Sequence, residues 1–295
     1  MPRSSLILGG TAAAMVLAGV MLAGLTLASL TAFAGTVPLP ASAANRPTWR
    51  RPDPAHTLVI DTTRGRIVVE LQPALAPVAV ARMERLAHQG FYDGLLFHRV
   101  IDGFMAQTGD PGNVDGGKSP LPNLKPEFTF RRGLDSGYVE AARPAGWTAG
   151  FIGPTPVMGA PDAAMSRSPD HRAAMWVTYC PGVVGMGRDE PPDSANSEFF
   201  LMRNAWPSLD RLYTPVGRVL RGLQVLRALK TGEPVRSPDA MVRVRLAADL
   251  PLSDRPAIQV MDTLSPAFAA EIASARRAKS ADFSVCDVKV PVRER

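Results

Sequence analysis

From Thr57 onward the apolar positions fall into short β-branched runs separated by turn residues. Residues 57 to 62 (TLVIDT) and 66 to 71 (RIVVEL) flank Thr63-Arg64-Gly65. In the second run Ile67, Val69 and Leu71 alternate with Val68 and Glu70, which is strand periodicity, and the glycine suits a tight hairpin. The period then changes. After Pro77, Ala79, Met83 and Leu86 recur at i, i+4 and i+7, predicting a short amphipathic helix with proline in its first turn and a stop near Gly90. Strand-like runs follow at LLFHRVI (95 to 101), FMAQTG (104 to 109), VVGMG (183 to 187), SEFFLMR (197 to 203), PVGRVL (215 to 220) and MVRVRLA (241 to 247). In the last, Val242, Val244 and Leu246 alternate with Arg243 and Arg245, so one face is dry and one wet. GLQVLRAL (222 to 229) predicts a second helix. Eight short strands, with a helix after the second and another before the eighth, describe an antiparallel β-barrel capped by two helices. Closure removes exposed edges and side chains fill so small a barrel, so chemistry belongs on its outer wall.

Two stretches exceed this plan. Residues 131 to 175 are rich in Gly and Pro and too long for an ordinary connection. A packed surface loop is the preferred reading and a lid the other. The extension from 252 to 295 contains Ser265-Pro266 ahead of Phe268, Ile272 and Ala275, a capped amphipathic helix whose last turn carries Arg276, Arg277 and Lys279. FSVCDVKV (283 to 290) is expected to add an edge strand.

Composition changes this picture at the N-terminus. The chain has 295 residues, 46 % of them apolar and 20 % charged, enough for one sizeable core with extensions. Residues 5 to 34 are almost entirely apolar, Arg3 is the only charge in the first 43 residues, and Ala41 to Ala43 form a small-residue cleavage pattern. The run is also long enough to cross a bilayer. Residues 1 to 43 are therefore a signal peptide or an N-terminal membrane anchor, 44 to 56 a linker, and 57 to 251 the barrel domain. Export, most simply to a bacterial periplasm, is expected. Cys180 and Cys286 are the only cysteines, and both lie in the exported part. They are read as a disulfide tying the tail to the body, with two buried thiols as the alternative. The net charge of +6 is mild and spread without a Lys/Arg run, which argues against nucleic acid and for a solvated Arg-rich surface.

Few chemistries have equipment here. Histidines occur only at 56, 88, 98 and 171, with no H-E-x-x-H helix, no G-x-S-x-G elbow, no phosphate loop and no dinucleotide fingerprint. No cofactor and no metal are expected. The stretch FYDGLLFHRVIDGFMAQTGDP (91 to 111) instead sets Arg99 and Gln107 among Phe97, Phe104 and Met105, between glycine turns. His98 alternates with Arg99, faces the other side of the sheet, and reads as a packed histidine bonded to backbone.

FHRVIDGFMAQTGDP resembles the central signature of the cyclophilin-type peptidyl-prolyl cis-trans isomerases. GGKS (116 to 119), PGVVGMGRDEPPDSANSEFF (181 to 200) and LYTPVGRVLRGLQVL (212 to 226) follow in family order, and the similarity runs from about Thr57 to Asp249. The resemblance implies the same fold, an eight-stranded cyclophilin-like barrel with two capping helices. It implies an isomerase acting without a covalent intermediate on proline-containing segments of exported proteins, most simply as a monomer. Carried over by position, Arg99 is the catalytic donor and Gln107 orients the substrate carbonyl. Phe104, Met105, Phe200 and Leu209 hold the proline ring, with Gly187, Glu198 and Tyr213 also lining the groove. Three positions depart from the pattern: Glu198 replaces a common Gln, Ser208 a Trp, and Tyr213 stands near the family's pocket His. Trp206 is the candidate to supply the missing indole area. These departures keep a second reading open, a proline-peptide-binding module with little or no turnover.

Overall fold

In the computed structural model, residues 48 to 113 and 118 to 294 are described. The expected signal or anchor, residues 44 to 47 of the linker, and the first two residues of GGKS lie outside them. All eight expected barrel strands are present: β1 (Thr57–Thr62), β2 (Gly65–Leu71), β3 (Arg99–Val100), β4 (Met105–Thr108), β5 (Val183–Met186), β6 (Phe199–Met202), β7 (Pro215–Arg221) and β8 (Met241–Leu246). They form one antiparallel sheet in the order β8-β1-β2-β7-β5-β6-β4-β3. The run 95 to 101 gives a strand of only two residues. The run meets residues 232 to 241 only through isolated bridges: Met241 N–H donates to Leu95 O (2.8 Å), Phe97 N–H to Asp239 O (2.9 Å), and Val100 and Gly232 exchange both backbone bonds (2.9 and 2.8 Å). These isolated bonds bring the two edges of the curled sheet together where a ladder was expected.

Alternation along the strands sorts side chains between two cores. Leu58, Ile60, Ile67, Val69, Ala106, Phe199 and Leu201 point inward and fill the barrel. Helix α1 (Pro77–His88) caps it with Ala79, Val80, Met83 and Leu86, and α2 (Leu223–Arg227) with Leu226. Met105, Phe200 and Met202 point outward and join a second apolar cluster with Phe151, Val157 and Met175 of the insertion and Val177 just after it. The packing of the insertion agrees with its expected loop, but its backbone is not irregular. Phe130–Arg132, Tyr138–Ala142, Thr148–Ile152, Thr155–Gly159 and Ala173–Val177 form a five-stranded antiparallel sheet. Strand formation pairs the backbone polar groups that burying so apolar a segment would otherwise leave unsatisfied.

The tail closes the far side of the same cluster. Ser265 accepts the Phe268 N–H at the start of α3 (Pro266–Lys279), which buries Phe268 and Ile272. The edge strand expected at 283 to 290 is not there. Ser284 and Asp287 cap one another's backbone and fold Val285–Asp287 into a 3-10 turn. The strand comes later, at Val292–Glu294, which pairs with Ile258–Met261, and Trp49–Arg50 completes that three-stranded sheet. The end of the expected linker is thus tied down. Cys180 and Cys286 form a disulfide with Cα atoms 5.1 Å apart, closing a separation of 106 residues. A loop of this length restricts the unfolded chain by about 4–5 kcal/mol in the entropic picture. Cys286→Ser should lower the unfolding free energy in urea by about 2–4 kcal/mol; a change below about 0.5 kcal/mol would mean that apolar packing and strand pairing hold the tail without the bond.

Candidate active site

Strand register builds the site. Arg99 lies opposite Gln107 in the β3–β4 pair, and Gln107 opposite Phe200 in the β4–β6 pair. Directly opposed residues point to the same face, so the three make one row across the outer wall. Met105, two residues before Gln107, shares that face, and Phe104 stands at the entry to β4. Loop residues complete the notch: Arg99, Phe104, Met105, Gln107, Gly187, Arg188, Phe200, Leu209 and Tyr213 line one concave surface. Eight of the expected site residues therefore meet.

Glu198 does not line the notch but lies behind it. It is buried, and its Oε1 accepts from Gln107 Nε2 at 2.7 Å. A carboxylate can only accept, so Gln107 turns its amino group toward Glu198 and its oxygen toward Arg99, whose Nη1 donates to it at 2.9 Å. His98 is buried as expected, but it does not bond to backbone. Its Nε2 sits 3.0 Å from Glu198 Oε1, off the line of a well-aligned hydrogen bond. Arg99 Nε donates to Glu233 Oε1 at 2.5 Å, so the guanidinium plane is held from two sides.

The apolar floor is supported from below. Phe200 stacks on Tyr179 (centroids 5.7 Å, planes at 28°) and meets Tyr213 edge-on (5.4 Å, 88°). A Cβ on Gly185 would lie 2.7 Å from the Tyr179 hydroxyl and 2.8 Å from Phe200, so only glycine lets these rings meet over β5. At Gly187 a Cβ would lie 2.8 Å from Glu198 Cγ, which makes this glycine a condition for seating Glu198. Arg188 rests on the Tyr213 ring at 4.7 Å. Trp206 leans on Phe104 (4.8 Å, 47°), so it reinforces the rim there while Ser208 faces a different groove. Arg188, Tyr179 and Glu233 went unrecognised in the sequence. Arg188 follows Gly187 directly and had that one local signal; the other two had none. Cys180 follows Tyr179, so the disulfide anchors the floor without lining it.

With this geometry in view, the sequence profile described as "Cyclophilin type peptidyl-prolyl cis-trans isomerase/CLD" matches residues 57–248. The chain belongs to the cyclophilin-type peptidyl-prolyl cis-trans isomerases. This cyclophilin is 34 % identical over 206 residues to a "Probable peptidyl-prolyl cis-trans isomerase" of Brucella suis, covering 67 % of this chain and 85 % of that one. The crystal structure of cyclophilin AquaCyp293 from Hirschia baltica is similar at 35 % identity and a TM-score of 0.77, over 83 % of this chain and 92 % of that one.

Asp210, next to Leu209, ties the cyclophilin's notch to its insertion. Its carboxylate accepts from the Tyr179 N–H (2.9 Å) and the Trp176 indole N–H (3.2 Å). Burial outweighs these bonds and pushes its pKa up to about 6. The folded chain then holds this proton more tightly than the unfolded chain, whose ordinary value is 3.8. Between about pH 4 and pH 6 the Asp210 contribution to stability is lost as pH rises. Asp210→Asn removes the charge and keeps one of the two acceptors, so its denaturation midpoint should gain on the parent's across that window and stop gaining above it. Parallel pH profiles for the two proteins would contradict the assignment.

Proposed function

We propose that this cyclophilin isomerises X-Pro bonds in exported polypeptides, with Arg99 as the catalytic donor. The observation carrying this reading is the single row Arg99–Gln107–Phe200 beside an apolar notch. An X-Pro bond rotates slowly because conjugation between nitrogen and carbonyl sets a barrier of about 20 kcal/mol. As the bond twists, the nitrogen regains its lone pair and becomes an acceptor. A guanidinium N–H aimed at that nitrogen is stronger in the twisted state than in either planar one, which is selective transition-state stabilisation. Phe104, Met105, Phe200 and Leu209 hold the prolyl ring while the preceding residue turns. Gln107, with its amide orientation fixed by Glu198, positions the substrate carbonyl. The guanidinium's permanent charge and planar fork suit this better than a lysine ammonium.

Export rests on two observations. The leader pattern in residues 1 to 43 is one, and the Cys180–Cys286 disulfide, a bond that persists in oxidising compartments, is the other. Among the described residues no helix is long and apolar enough to cross a membrane.

The test is isomerisation of a short proline peptide by protein lacking residues 1 to 43. Arg99→Ala should lower kcat/KM by about 10²–10³-fold with an unchanged circular dichroism spectrum, and Arg99→Lys should recover little of it. Peptide binding without turnover by the parent protein would replace the enzyme with a binding module.

A further inference from the structure

Three of the seven large apolar side chains that stand exposed among the described residues are gathered near one turn: Trp206 and Leu212 belong to it, and Trp147 packs on its neighbour. The turn, residues 206 to 212, has two sides. Leu209 faces the proline notch. Pro207, Ser208, Asp210, Arg211 and Leu212 face a second groove, whose opposite wall is Met158 and Trp176 of the inserted sheet. Its volume is about 640 Å³ against about 230 Å³ for the notch, room for a bulky side chain with its peptide. Met158 and the largely buried Trp176 form the apolar part of its lining, and Trp176 is fixed. Trp176 is held by its indole bond to Asp210, carries the Arg211 guanidinium 4.8 Å above its ring, and meets Trp147 edge-on at 5.1 Å.

We propose that this outer groove binds the segment flanking the substrate proline, and that its preferred occupant is an aromatic or large aliphatic residue. Continuity with the notch argues for this occupant, because one turn of chain forms a wall of both. The inference rests on the notch being where the proline binds. A single turn with its side chains is about 10 Å thick, which three or four residues of extended chain span at about 3.3 Å each. A polypeptide with its proline on Phe104, Met105 and Phe200 therefore reaches Trp176 with a residue three or four positions away. Folded proteins bury such residues, whereas unfolded chains display them. The groove thus selects unfolded polypeptides over isolated prolines, and it does so with residues of the insertion, which the barrel alone does not supply.

Three fluorescent twelve-residue peptides test this, each with a central Ala-Pro in an alanine and serine background. One carries Phe three to four residues before the proline, one the same distance after it, and one neither. Both kcat/KM and, by anisotropy, Kd are measured for the parent, Leu212→Asp and Trp147→Ala, two changes at exposed positions. Phe on one flank should improve both quantities about tenfold in the parent, and each variant should cut that preference below about threefold. Equal values for all three peptides overturn the proposal, as does a preference that survives both variants. Sedimentation showing that the parent pairs through this face, and Leu212→Asp does not, overturns it when no peptide preference is seen. A Phe preference in Kd without turnover supports the groove while removing the Arg99 mechanism, so the two readings fail separately.

Discussion

Everything in this chain depends on the two-residue alternation of β4 and β6. Ala106, Phe199 and Leu201 go inward and fill a small barrel, leaving no interior room for a ligand. Gln107 and Phe200 must then go outward, and the β3–β4 pairing sets Arg99 beside them. A slip of one residue in either pairing would bury the guanidinium side of the row and expose the core. The register that holds the barrel together is thus the register that assembles the site.

An outer wall bearing Met105, Phe200 and Met202 is too apolar to face water alone. The insertion and the tail cover it: Phe151, Val157, Met175, Phe268 and Val285 share a cluster with the site's own floor. Tyr179 lies at the junction, stacked under Phe200, with its N–H on Asp210 and Cys180 next in the chain. The parts outside the barrel therefore act on the notch from beneath. Among the described residues lining the notch, none comes from residues 131 to 175.

What could be read from the sequence followed period and spacing. The eight strands, α1 and the Ser265 cap were visible because each repeats a local rule, whereas Arg99, Gln107 and Phe200 came together only through the resemblance, and their cross-strand register came from the structure. The inserted sheet was hidden by its own packing. A Cβ on Gly150 would lie 2.0 Å from Val139 O, and one on Gly159 2.3 Å from Ala174 O, so glycines that read as turns are strand residues under close backbone approach. The missing edge strand at 283 to 290 has an equally local cause, since Ser284 and Asp287 favour a capped turn over a ladder. Glu233 reaches Arg99 across 134 residues of sequence, and no short pattern could announce it.

The central claim is that Arg99 meets a nitrogen above the floor formed by Phe104, Met105 and Phe200. A crystal structure of this protein with a bound peptide containing one Ala-Pro bond tests it most directly. The account predicts the prolyl ring on that floor and an Arg99 N–H within about 3 Å of the prolyl nitrogen or its adjoining carbonyl. A ring seated elsewhere on the wall, or a guanidinium turned wholly to Glu233 with the proline bound, would contradict it.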